Sequence, residues 1–152
     1  FYIDVILEIF PKAKFINSFR NFEDNIFAIY TASLGKLSWT HSLDNILSYI
    51  DNYNKIIDFF FKKYPNKILK INLEELSNKP IDISKKIYSF CNFEWSNKIL
   101  EFQERKDLLI STASNIQLRE SIKKYNFEKY YSYKKLLKNF TKKFEWINKK
   151  IG

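Results

Sequence analysis

The sequence predicts an α/β fold, a parallel sheet flanked by helices, and three observations carry that expectation. Two short, mostly apolar runs, Ala13 to Ser18 and Lys67 to Ile71, have strand length. Between them lies a long segment with apolar residues at helical spacing, and a further helical pattern follows the second run. Strand, helix, long helix, strand, helix in that order implies a right-handed crossover between parallel strands.

The elements follow from local chemistry. Ile3, Ile6, Leu7 and Phe10 recur at helical spacing, but Asp4 and Glu8 interrupt them and Pro11 closes them, so neither a signal peptide nor a spanning helix fits. The first strand leads directly into Asn21-Phe22-Glu23-Asp24, whose carboxylates suit the first turn of a helix running to about Leu34, with Gly35 as a left-handed stop. Ser42 is an expected N-cap for a long helix with its apolar stripe from Leu43 to Tyr64, ended by Pro65. Pro80 suits the first turn of another helix carrying Ile83, Ile87, Phe90 and Cys91. A short helix over Ile99 to Phe102 and a polar stretch from Ser111 to Arg119 come next. Two closing helices are expected, one with Tyr130, Tyr131 and Leu137, the other with Phe140, Phe144 and Ile147.

At 152 residues and 45% hydrophobic composition the chain can bury one core, and no Pro/Gly/Ser-rich border divides it. It opens Phe1-Tyr2-Ile3 and contains no Met, so the expectation is a piece of a longer domain. Two strands alone do not make a stable buried sheet, which points the same way. Glycine occurs only at Gly35 and Gly152, which excludes a glycine-rich phosphate loop from this chain. The single cysteine, Cys91, forms no internal disulfide and reads as a core residue; it fits a reducing, cytoplasmic compartment. No metal-spaced cluster is present.

The net charge of +9 is concentrated at one end: ten lysines between 123 and 150 face only Glu128 and Glu145. Such an asymmetry suits a face that meets an anion, whether a nucleotide, an acidic polymer, nucleic acid or a lipid surface, or else a pair of solvated helix backs. Of twenty-six basic residues only Arg20, Arg105 and Arg119 are arginine. In a chain that uses lysine for generic charge, an arginine marks a place where a planar fork grips an oxyanion. Arg20 stands between the first strand and the first helix, where open α/β sheets bind anions at helix N-termini, and Asp24 is placed to orient its guanidinium.

These residues also fall into ordered motifs. Phe10-Pro11-Lys12-Ala13-Lys14-Phe15-Ile16, followed by Arg20, Asp24 and Tyr30, resembles the F-P-x-A-K-F-I and R-x-x-x-D segment of PAPS-dependent sulfotransferases. Lys70 to Pro80, with Leu73-Glu74-Glu75-Leu76, is similar to their Y-E-D-L…P segment. Thr112 to Arg119 resembles the T-x-S-x-x-Q-V-R segment of bacterial sulfotransferase-family domains, and in part that of tyrosylprotein sulfotransferases; the spacing from Gln117 to Tyr130 and Tyr133 also matches.

The resemblance implies a P-loop-NTPase-like parallel sheet flanked by helices. Residues 1–152 would be its helix-rich C-terminal portion, a single partial sulfotransferase domain whose phosphate loop and catalytic base lie upstream. It implies transfer of a sulfuryl group from PAPS (3′-phosphoadenosine 5′-phosphosulfate), without a metal, to a hydroxyl or amine of a carbohydrate, a lipid or a protein tyrosine. Arg20 would contact the 3′-phosphate, and Ser114, Gln117, Arg119 and Lys129 would line the nucleotide. Two positions depart from the pattern: Ala28 replaces a serine eight residues after the arginine, and Leu73 replaces the tyrosine of Y-E-D-L. Thr31 or Ser33 is the expected substitute for the first loss.

His41, the one histidine, is the candidate base within this chain, although an exposed helix-entry residue is the preferred reading of it. Trp39 reads as an acceptor-stacking or core residue. An acidic acceptor suits the basic end. Two alternatives remain: a non-catalytic basic helical protein binding nucleic acid or an anionic surface through interleaved Lys and Tyr, and a degenerate sulfotransferase fold retained for binding.

Overall fold

In the computed structural model, residues 2–32, 34–105, 120–126, 129–140, 142–144 and 146–147 are described. The chain separates into two compact units: residues 1–13, 20–66 and 126–152 form the first, and residues 14–19 and 67–125 the second.

The second unit contains the sheet. β1 (Phe15–Phe19) and β2 (Ile68–Asn72) pair in parallel, with Phe15 opposite Ile68 and Phe19 opposite Asn72. Ile68 and Ile71 are buried and, three residues apart in a strand, point to opposite faces, so each face of β2 carries a buried isoleucine. Because the pairing is parallel, the chain cannot return by a tight turn, and the whole segment from Arg20 to Lys67 forms the connection. α4 (Leu73–Asn78) begins directly after β2, where the Asn72 side chain accepts a hydrogen bond from the Glu75 N–H at 2.9 Å.

α5 (Pro80–Cys91) starts on a proline at its first position, where no intrahelical N–H is needed, and stops at Asn92, whose φ of 62° is left-handed. The Asn92 side chain also accepts from Lys14 Nζ at 3.1 Å, and the same ammonium donates to the Phe90 carbonyl. A lysine at a helix C-terminus satisfies carbonyls that have no partner within the helix and meets the negative end of its dipole. Trp95 Nε1 donates to the buried Ser84 hydroxyl at 2.8 Å, fixing the chain that follows α5.

The first unit is helical. α1 (Ile3–Ile9) is tied to the end of α3 (Leu43–Lys63), where Lys63 Nζ and Tyr64 Oη donate to one Asp4 oxygen at 2.9 and 2.7 Å. α2 (Phe22–Thr31) and α3 contribute Ile26, Phe27, Ile46 and Leu47 to a core completed by Tyr130, Leu137, Phe144 and Ile147 from the C-terminal segment. Each such side chain contributes about 1.5–3 kcal/mol by leaving water. α6 (Lys134–Leu137) sits within a helical stretch from Tyr131 to Phe140 that is otherwise of the tighter 3-10 type.

Several expectations change. The second helix ends at Thr31 rather than near Leu34, and Gly35 is not left-handed. In its last turn the Thr31 hydroxyl donates to the Phe27 carbonyl at 2.7 Å, and the Ala32 N–H closes the helix on the Ala28 carbonyl. Ser42 occupies the N-cap position of α3 with extended backbone, but its side chain makes no capping bond. The helix expected over Ile99 to Phe102 is a 3-10 stretch, Asn97–Glu104, with a kink at Glu101. The first closing helix has a single α-turn, consistent with like charges at Lys134 and Lys138 one turn apart. Most of the second lies outside the described residues. Cys91 is half-buried at the end of α5, not in the core.

Two predictions follow from these ties. The Asn21 side chain accepts from the Glu23 and Asp24 N–H groups at 3.0 and 3.2 Å, so Asn21→Ala costs about 1 kcal/mol in chemical denaturation. The hydrogen bond from Tyr64, then that from Lys63, holds the Asp4 carboxyl below its ordinary 3.8. A depressed carboxyl contributes stability above its unfolded value and loses it as pH falls through the folded one. Protection of the α1 amides from exchange, taken relative to the intrinsic rate at each pH, is therefore lost only below about pH 3.8, and Asp4→Asn removes that acid dependence.

Candidate functional site

The candidate anion site is the turn that enters α2. Arg20 follows immediately on the last residue of β1, is half-buried, and donates from Nη2 to the Asp24 main-chain carbonyl at 3.3 Å. The tie expected with the Asp24 carboxylate thus runs to the carbonyl oxygen. It engages one of the five N–H groups of the guanidinium.

The helix N-terminus itself is less open than its sequence suggests. Two of its first-turn N–H groups, those of Glu23 and Asp24, already point at the Asn21 side chain. A phosphate arriving here meets an arginine side chain more than a row of vacant amides.

Behind Arg20 lie two buried carboxylates, Glu23 at 5% exposure and Asp24 at 3%. Burial of a carboxylate requires a partner, and Glu23 has one in Lys134, whose Nζ lies 2.5 Å from Oε2. The Lys134 ammonium is raised above its ordinary value, first by its hydrogen bond to Glu23, with the charges of Glu23 and Asp24 adding to it. The C-terminal segment is held onto α2 by apolar contact as well. Tyr130 is buried with its ring 6.1 Å from that of Phe27, and the Tyr133 ring lies 5.7 Å from it.

Of the residues singled out in the sequence, Arg20 and Lys129 belong to this same unit. Lys129 is exposed and lies 5.1 Å above the Tyr130 ring. Ser114, Gln117 and Arg119 lie outside the described residues, as does Ser33. Thr31 is described, and its hydroxyl proton is committed to the Phe27 carbonyl, so it does not stand in for the missing serine at Ala28. Leu73, at the start of α4, is 39% exposed.

His41 is exposed at the end of the 3-10 turn Ser38–His41. Trp39, in the same turn, packs on the core and stacks on Tyr49 at 4.2 Å and 11°. In the second unit, Arg105 lines a shallow cleft with Tyr88, Lys98, Ile99 and Phe102. Among the described residues no three His, Cys, Asp or Glu side chains group as a metal site, and no helix is long and apolar enough to cross a membrane.

Of three contributors found in the structure, two escape the sequence. Asn21 as a cap was readable, because an Asn directly before Glu23 and Asp24 is a helix-start pattern. Lys14 as the cap of α5 and Lys134 as the partner of Glu23 were not: each joins positions far apart in the chain, and nothing local distinguishes them from the other lysines.

Comparison with known proteins agrees with the motifs. Residues 1–97 match the sequence profile described as "Sulfotransferase family". That match contains both strands, Arg20, α4 and α5, whereas Ser114 to Lys129 lie beyond it. The chain is also 28% identical over 140 residues to an uncharacterized protein of Aquifex aeolicus (strain VF5), an alignment that covers 90% of this chain and 18% of that protein. The chain therefore spans less than a fifth of that relative's length. With well over half of its length matched, in the order strand, arginine turn, crossover helices, strand, the chain belongs to the sulfotransferase family.

Proposed function

We propose that this chain forms part of the donor-nucleotide site of a PAPS-dependent sulfotransferase built on a P-loop-NTPase-like sheet. The observation that carries the reading is the placement of Arg20: it stands between a parallel strand and a capped helix, and four of its five N–H groups are not used by the Asp24 bond. In this reading Arg20 holds the 3′-phosphate, and Ser114, Gln117, Arg119 and Lys129 line the nucleotide as the family resemblance implies.

The reaction is an in-line displacement. An acceptor hydroxyl or amine attacks sulfur, the bond from sulfur to the 5′-phosphate oxygen breaks, and adenosine 3′,5′-bisphosphate leaves. The acceptor proton passes to a base. His41 is exposed at a turn and, among the described residues, has no hydrogen-bond partner that would orient it for that work, which supports a base elsewhere in the protein. What Arg20 contributes is binding and orientation of the donor, remote from the sulfur but effective on the rate through position.

The basic-helix alternative is less well supported. Lys134 and Lys143 are engaged internally, with Glu23 and with Asp44, and Tyr130 is buried in the core. These are three of the residues that interleaved Lys and Tyr would have offered to a nucleic acid.

Calorimetric titration of the full-length protein with adenosine 3′,5′-bisphosphate tests the reading. Arg20→Ala is expected to weaken binding by about 1.5–3 kcal/mol, the scale of a charge-assisted hydrogen bond. No binding by the intact protein, or equal binding by the variant, removes the assignment. In the same titration Ala28→Ser, which restores the hydroxyl of the family pattern, should tighten binding by about 1 kcal/mol, and an unchanged affinity would show that position 28 does not face the phosphate.

A further inference from the structure

The charges around Arg20 do not obviously favour an anion. Within five residues the chain places Arg20, Glu23 and Asp24, and both carboxylates are buried beneath the arginine's turn. Left to themselves, two buried carboxylates would do two things to a phosphate site. They would repel the incoming anion across a short distance in a medium that screens poorly. They would also recruit the nearest guanidinium as their own counter-ion, since an unpaired buried carboxylate is costly and Arg20 is three residues from Glu23.

For Glu23 the structure supplies a different counter-ion. Arg20 is bonded to a carbonyl oxygen, a neutral acceptor, and the Glu23 carboxylate is bonded to Lys134 from the C-terminal segment. Lys134 is two-thirds covered and anchored by its neighbours: Tyr130 and Leu137 on either side are buried in the core of the same unit. Its ammonium also lies 5.7 Å from the Tyr131 ring centroid, a second contact that holds the side chain in place. Among the described residues, the charge of Asp24 also acts on Lys134, and the exposed Lys135 is its neighbour in the chain.

We propose that Lys134 is a positioning residue for the nucleotide site: by supplying the counter-charge of buried Glu23, it leaves the Arg20 guanidinium for a phosphate. It acts through Arg20 and does not itself touch the ligand. The inference rests on the proposed nucleotide site and adds to it a reason why a C-terminal lysine, outside the region matched to the family, bears on an arginine inside it.

The distinguishing property of this role is that the lysine is needed only because the carboxylate is charged. In titrations of the full-length protein with adenosine 3′,5′-bisphosphate, Lys134→Met should raise the dissociation constant about tenfold, the scale of coupling between contacting charges. Lys134→Arg should bind as the wild type does. Glu23→Gln should bind at least as tightly as the wild type, and the double variant E23Q/K134M should recover most of the affinity lost in K134M. Thermal unfolding of each variant, followed by circular dichroism, identifies those that remain folded.

If the folded K134M protein binds as the wild type does, the inference is overturned while the nucleotide site stands. If E23Q/K134M stays as weak as K134M, Lys134 acts by packing and the charge argument is wrong. Should K134M not fold, the comparison of K134R and E23Q/K134M with the wild type decides the matter, because the second removes the charge pair without leaving a buried carboxylate. A wild-type protein that fails to bind the nucleotide overturns the site itself, and with it the role given to Lys134.

Discussion

Burial of the Glu23 carboxylate is the constraint on which the arrangement of the helical unit turns. A carboxylate at 5% exposure is tolerable only if paired, and leaving it unpaired costs on the order of 3–5 kcal/mol, less where the partner keeps some contact with water, as Lys134 does. The pair therefore fixes more than itself. It requires the segment around Lys134 to lie across the first turn of α2, and once there that segment delivers Tyr130, Leu137, Phe144 and Ile147 to the core. The apolar contacts provide most of the stabilisation and set the register as well, because sliding the segment by one residue could bring Lys135, an equivalent counter-charge, opposite the carboxylate but would move Tyr130 and Leu137 out of the core. Nearly all of the surplus positive charge lies in this segment, and part of it serves the fold before it serves any ligand.

The parallel pairing of β1 and β2 imposes the other requirement. Parallel neighbours cannot be joined by a hairpin, so the residues between them must form a long crossover, and α2 and α3 occupy it. This puts the turn after β1 at the start of a helix, the location where open α/β sheets gather their ligand contacts. An arginine at that point is consistent with a binding role, but its neighbours decide whether the role is possible. Asn21 satisfies the local N–H groups and Lys134 satisfies the nearest carboxylate, so the arginine is the polar group left with unused donors at this turn.

How far the sequence was legible follows from the range of each interaction. Features set by neighbours in the chain were readable: both strands within one or two residues, the proline start of α5, and the end of α3 before Pro65. Helix ends were less readable: α2 stops three residues early and without a left-handed Gly35, whereas the left-handed cap that is present, Asn92, closes α5. The arginine was legible as a site because arginine is scarce in this chain. Its supporting lysine was not, because lysine is abundant and the pairing is long-range, and Lys14 was hidden for the same reason.

The two departures from the family pattern bear on how the donor would be held. Serine to Ala28 removes a hydroxyl on the face of α2 that follows the arginine, and Thr31 does not replace it, since its hydroxyl is already donating to Phe27. Tyrosine to Leu73 removes a ring and hydroxyl at the start of α4, where the leucine is 39% exposed. Both changes remove polar groups and neither adds one, so in the proposed nucleotide site recognition of the 3′-phosphate would fall more heavily on charge than on neutral hydrogen bonds. Charge-assisted bonds from a guanidinium are stronger than those of a hydroxyl, which makes the substitution of one kind for the other workable. It also makes the site more sensitive to nearby carboxylates, and so raises the importance of the lysine that neutralises one of them.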